Sequence, residues 1–186
     1  MADRRGSEPA PAVRDEVDDL VAGWQAERPD LDVAPLHVLS RLSRLARHLD
    51  RARRAAFAAH GLEPWEFDVL SALRRQGPPY QLSPGALLHA TLVTSGTMTN
   101  RIDRLAAAGL VSRHRAKSDG RGVVVELTPR GKHAVDAALD GLLDRERDLL
   151  TALAPAERHE LAALLRVLLV PFDAVQQPRL DSAESG

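Results

Sequence analysis

The sequence predicts a mainly α fold with a single small β-hairpin. Its apolar complement is dominated by 29 Leu and 29 Ala, against 15 Val and one Ile, a balance that favours helix over strand. Apolar residues recur at three- and four-residue spacing through most of the chain, the period of an amphipathic helix. The β-branched run VVVEL at 123–127 follows VSRHRAK and a Gly-rich SDGRG, the pattern of two strands about a turn.

The elements follow in order. Residues 1–12 (MADRRGSEPAPA) are rich in Pro, Ala and charge and are expected to be disordered, as is a tail at 173–186. Val13, Val17, Leu20, Val21 and Trp24 set a helix over 13–27, ended by Pro29. After the linker PDLDVAP, a long helix spans 35–60, with Leu39, Leu42, Leu45, Leu49, Ala52 and Ala56 on one stripe and Gly61 closing it. Glu63-Pro64 opens a third helix to about residue 76, stopped by Gly77-Pro78-Pro79. Ser83-Pro84 supplies an N-cap and a first-turn proline for a short helix to Thr91. Thr94 or Ser95 begins a longer helix to about Ala108, closed by Gly109. The hairpin occupies 111–127. Thr128-Pro129 caps a helix to about Leu153, and Pro155 starts a last one. In that helix Leu161, Leu164, Leu165, Leu168 and Leu169 are expected inward, with the end before Pro171.

Composition excludes several chemistries. The chain has no Cys, so disulfides, thiolate-ligated zinc, iron–sulfur clusters and cysteine nucleophiles are out. No run approaches 18 uninterrupted apolar residues, and a soluble cytoplasmic protein without membrane contact is expected. The seven His, at 37, 48, 60, 89, 114, 133 and 159, form no close pair at metal-ligand spacing, so no metal or cofactor is expected. Gly-rich phosphate loops, HExxH and GxSxG are missing, which argues against an enzyme. The net charge is −1, yet residues 94–122 carry six bases and two acids between acidic flanks. That split is compatible with nucleic-acid binding by the middle of the chain; solvated helix faces would also produce it.

Short helix, tight turn, longer helix and hairpin in succession are the layout of a winged helix-turn-helix. The two helices of the turn unit are 83–91 and 94–108, and the wing is 111–127. A helix that enters a major groove needs one apolar face for its own domain and one small polar face for the duplex. Turning about 100° per residue, Met98, Ile102, Leu105 and Thr94 share one direction. Gly96, Asn100 and Asp103 lie opposite, flanked by Thr97, Thr99 and Arg104. Ser95, Gly96, Thr97, Thr99, Asn100 and Arg104 are therefore expected at DNA, joined by the hairpin cations Arg113, Arg115, Lys117 and Arg121. Arg121 at the tip is placed as a minor-groove probe would be. Asp119 reads as a turn former.

The segments FDVLSALRR, TSGTMTNRIDRLAAAGLV and SDGRGVVVELTPRG, within Glu66 to Gly131, resemble the MarR (multiple antibiotic resistance regulator) family of transcription factors. The resemblance covers about residues 35–172. It implies a homodimer that binds a palindromic operator in double-stranded DNA, usually as a repressor released by a small molecule. On this reading residues 13–60 and 128–172 supply dimerisation helices around a winged domain at 61–127. The Leu stripes near both chain ends exceed what one small winged domain needs to cover, an independent reason to expect a dimer. WQAERPDLD, WEFDVL and TSGTMTNRIDRL resemble the urate-responsive branch more closely still, and the resemblance implies ligand-linked roles for Trp24, Asp68 and Arg101. Helical geometry agrees in part: Arg101 lies about 60° from the core direction of its helix, and Asp68 about 160° from Leu70. The effector would be a small anion such as urate, a purine or a carboxylic acid. A structural Asp68–Arg101 ion pair would explain the same residues. A winged-helix interaction scaffold without specific DNA binding is the alternative function.

Overall fold

The computed structural model describes residues 14–91, 95–115 and 122–176, with side chains at 95 and 173–176 left outside the description. The chain divides into two compact units, one ending at Arg54 and the other beginning at Ala55. The expected disorder of 1–12 lies outside the described residues, as do Thr94, Lys117, Asp119 and Arg121.

The first unit holds α1 (Glu16–Glu27) and most of α2 (Ala34–Ala58). Asp15 caps α1 by accepting from the backbone N–H groups of Val17 at 2.8 Å and Asp18 at 3.3 Å, while its own N–H donates to the Asp18 carboxylate at 2.9 Å. This reciprocal box satisfies donors that a helix start otherwise leaves open. Val17 and Val21 then bury against Val33, with Leu20 and Leu36 alongside. Arg41 of α2 closes the contact by donating to Asp15 at 2.8 and 2.9 Å and to Asp18 at 2.7 Å. Its hydrogen bonds hold the Asp15 carboxyl below the ordinary carboxylate range. Asp18 is lowered too, first by the backbone N–H of Asp15 and then by Arg41.

The second unit contains α3 (Pro64–Arg75), β1 (Gln81–Leu82), α4 (Pro84–Thr91), α5 (Ser95–Ala107), β2 (Val111–Arg115), β3 (Val123–Leu127), α6 (Pro129–Leu149) and α7 (Pro155–Gln176). The sheet is antiparallel with order β1-β3-β2, pairing Leu82 with Val125 and Arg113 with Val125 across β3. Its core joins Phe57 and Phe67, whose rings stack at 4.1 Å, to Leu70, Leu73, Leu87, Met98, Ile102, Leu105, Val125 and Val135. Arg74 of α3 and Lys132 of α6 both bond Asp136, at 2.8 and 3.0 Å. Burial pushes the Asp136 carboxyl up, but the two cations outweigh it and its pKa is lowered.

Three features depart from the sequence expectation. The hairpin gains a third strand, β1, which the Tyr80 carbonyl extends by accepting from Leu127 N–H at 3.1 Å. The helix expected to stop before Pro171 continues to Gln176, and α6 ends at Leu149 rather than Leu153. Proline removes one amide donor, and here the turns on either side carry the helix past it. The leucines expected inward on α7 are largely exposed: Leu161, Leu164, Leu168 and Leu169 face solvent in the single chain, and Val167 is 72% exposed. Their periodicity marks an apolar face that the single chain leaves exposed. Among the described residues no helix is long and apolar enough to cross a membrane, and no His/Asp/Glu cluster could hold a metal.

Candidate nucleic-acid interface

Helix α5 is fixed in the second unit from three directions. Its inward face is apolar: Met98, Ile102 and Leu105 are each 1% exposed or less. Its C-terminus is closed at Gly109 (φ 69), where Leu110 N–H donates back to Leu105 and Gly109 N–H to Ala106, both at 2.9 Å. This double-bonded cap requires a left-handed residue, which glycine adopts without penalty. Beyond it, the Thr128 hydroxyl lies 2.8 Å from the Gly109 carbonyl and 3.0 Å from that of Leu110, and accepts from Gly131 N–H at 3.0 Å. Gly131 is required by close approach: a Cβ there would fall 2.0 Å from the Leu110 carbonyl oxygen. Thr-Pro-Arg-Gly therefore caps α6 and seats it directly on the end of α5.

The opposite face of α5 is open. Gly96, Thr97, Thr99, Asn100, Asp103 and Arg104 are all exposed, the arrangement expected from the residue periodicity. Ser95 opens the helix. The flanks carry two ion pairs to different elements. Asp103 meets Arg113 of β2 at 2.7 Å, and the same guanidinium nitrogen of Arg113 donates to the Thr99 carbonyl at 3.4 Å. Arg104 meets Glu63, just before α3, at 3.2 Å, and its guanidinium carbon lies 4.7 Å from the centroid of the Trp65 ring. Asp103 and Arg104 are about 100° apart around the helix, so the two pairs link it to β2 and to the start of α3.

The remaining expected residues fall as follows. Arg115 is exposed at the end of β2, beside the segment that carries Lys117 and Arg121, both outside the described residues. Along the sheet, Glu126 accepts from Gln81 at 2.7 Å and lies 3.3 Å from His114. Trp24 sits on α1, 50% exposed. Asp68 is exposed on α3 and lines a shallow depression of about 250 Å³ with Ser71, Arg75, Ala90 and Thr91. Arg101 is half-buried, with its guanidinium carbon 5.4 Å from the Trp65 ring centroid. Among the described residues Asp68 and Arg101 form no ion pair with each other. In the sequence Glu63 reads only as the start of a helix and Trp65 only as part of WEFDVL; the fold brings both to Arg104, with the Trp65 N–H donating to Glu63 at 2.5 Å.

An apolar-backed polar helix beside a basic hairpin strand is the arrangement of a winged-helix transcription factor, and this chain belongs to the MarR family. The family model matches residues 60–122. The chain is 39% identical over 150 residues to the transcriptional regulator PecS of Dickeya dadantii, covering 81% of this chain and 90% of PecS. It is similar to a structure of Bordetella bronchiseptica BpsR, described as regulated in its DNA binding by 6-hydroxynicotinic acid. That likeness has 30% identity and a TM-score of 0.53, over 69% of this chain and 98% of that one. It is also similar to a cysteine-to-serine variant of E. coli MarR complexed with operator DNA, at 26% identity and TM-score 0.61, over 75% and 99% of the two chains. The curated relatives are named as transcriptional regulators or repressors.

Proposed function

We propose that this protein is a homodimeric repressor that binds a palindromic operator and leaves it when a small anion binds. The observation that carries the reading is the division of α5 into a buried Met98/Ile102/Leu105 face and an open Gly96/Thr97/Asn100/Arg104 face. Groove entry needs that division. Ser95, Gly96, Thr97, Thr99, Asn100 and Arg104 would contact the major groove and its phosphates, with Arg113, Arg115, Lys117 and Arg121 alongside on the wing. The operator complex of E. coli MarR, a structural relative, supports this. Residues 61–127 are assigned to reading DNA, and 13–60 and 128–172 to dimerisation.

The dimer is supported by apolar surface that a single chain leaves in water. Val167 and Phe172 on α7 are 72% and 67% exposed, and Val38 and Leu39 on α2 are open as well. A second copy would cover such faces. The effector is proposed to act through Trp24, Asp68 and Arg101. Arg101 shares the helix that would read DNA, so an anion on its guanidinium would act on that helix directly. The effector is proposed to be urate, a purine or a carboxylic acid, and the relative regulated by 6-hydroxynicotinic acid favours the planar carboxylate among these.

The test is a mobility-shift titration on DNA upstream of the protein's own gene, with urate, purines and aromatic carboxylic acids added in turn. The expected result is a specific shift that weakens steeply with salt and is released by one class of anion. Salt-independent or absent duplex binding would favour a winged-helix interaction scaffold instead. Arg121→Ala is expected to weaken the shift at moderate salt, and unchanged affinity would remove the wing tip from the mechanism.

A further inference from the structure

Arg104 lies on one stripe of α5 with Thr97 and Asn100, seven and four residues behind it. Its guanidinium is already engaged, standing over the Trp65 ring at 4.7 Å and meeting a Glu63 carboxylate oxygen at 3.2 Å. Glu63 is itself held, since its other oxygen accepts from the Trp65 indole and its backbone N–H donates to Glu66 at 2.9 Å. Both partners of the pair nevertheless remain more than half exposed, at 55% and 57%. An ion pair so open to water is easily exchanged for another anion.

We propose that Glu63 is a specificity-determining residue that stands in for a DNA phosphate at Arg104. The proposal rests on the DNA-reading function of α5 given above. When a duplex lets α5 seat fully, a phosphate oxygen replaces the carboxylate, and the Trp65 face keeps the guanidinium in place through the exchange. When a duplex does not match, α5 does not seat and Glu63 keeps the cation compensated. Arg104 then adds nothing to sequence-independent attraction, which depends on uncompensated cations. The effect is to lower background binding more than operator binding.

Glu63→Gln keeps the shape and an acceptor oxygen but removes the charge. Affinities are measured by fluorescence anisotropy across a salt series, on the upstream duplex and on a scrambled duplex of equal length. The expected result is about two- to fivefold tighter binding to the scrambled duplex, a salt slope steeper by about one, and a smaller change on the upstream duplex. In an Arg104→Ala background the same substitution is expected to change neither affinity. Equal tightening on both duplexes, no change on either, or an effect that survives in Arg104→Ala would overturn the proposal. Wild-type protein that fails to prefer the upstream duplex would overturn the DNA-reading function itself, a different result from failure of the Glu63 variant alone.

Discussion

Asp103 of α5 and Arg113 of β2 are joined at 2.7 Å, so the wing strand is tied to the polar side of the helix it flanks. The pair is more than a third exposed at each partner and contributes little to stability. Its value is positional, because it sets where the β2 strand stands relative to the polar face of α5. Arg113→Ala is expected to lower operator affinity by about 1–3 kcal/mol, the scale of a charged hydrogen bond. Unfolding free energy should move by less than about 1 kcal/mol. Anisotropy and urea denaturation on the same samples separate the two effects.

Gly131→Ala is expected to destabilise the second unit by about 1–3 kcal/mol, the usual cost of forcing atoms into a filled site. The new methyl would meet the Leu110 carbonyl 2.0 Å away, backbone that has no rotamer to move. A urea midpoint unchanged from wild type would show that α6 can shift off Leu110.

The hold of α1 on α2 has a defined dependence on pH. Arg41 lowers Asp15, and the Asp15 N–H together with Arg41 lowers Asp18. Carboxylates depressed in the folded state contribute stability above their unfolded value of about 3.9, and lose it as pH falls through the folded value. The α1–α2 contact should therefore be constant from about pH 5 to 8 and loosen only below about pH 4. Fluorescence of Trp24 in a Trp65→Phe background reports it, and Arg41→Gln should loosen α1 at neutral pH. A transition near pH 6 would point to other groups.

Arg101→Ala is expected to leave operator affinity within about threefold while removing release by the effector, a coupling that normally spans about 5–150-fold. Titrating the effector against preformed complex in the gel assay reads both quantities. Lost DNA binding with retained release would move Arg101 from the ligand to the duplex.

Much of this architecture could be read from the chain. The faces of α5 followed from a 100° period, and Thr128-Pro129 announced the start of α6 because a capping side chain must sit at a fixed offset from its helix. Two-residue β1 is too short to show any period. The Glu63–Arg104 pair spans 41 positions, and no local pattern encodes a contact made by the fold. Pro171 was misleading because a proline signals a stop only when the following turn cannot carry on alone. For α7, the leucine spacing revealed an apolar face without revealing which chain would cover it.

The bonds of Thr128 and the close approach at Gly131 seat the first turn of α6 directly against the residues that close α5. A displacement of α6 would therefore press on the end of α5 through this contact. Under the proposed function, a swing of α6 would turn the helix that reads DNA without any molecule touching that helix.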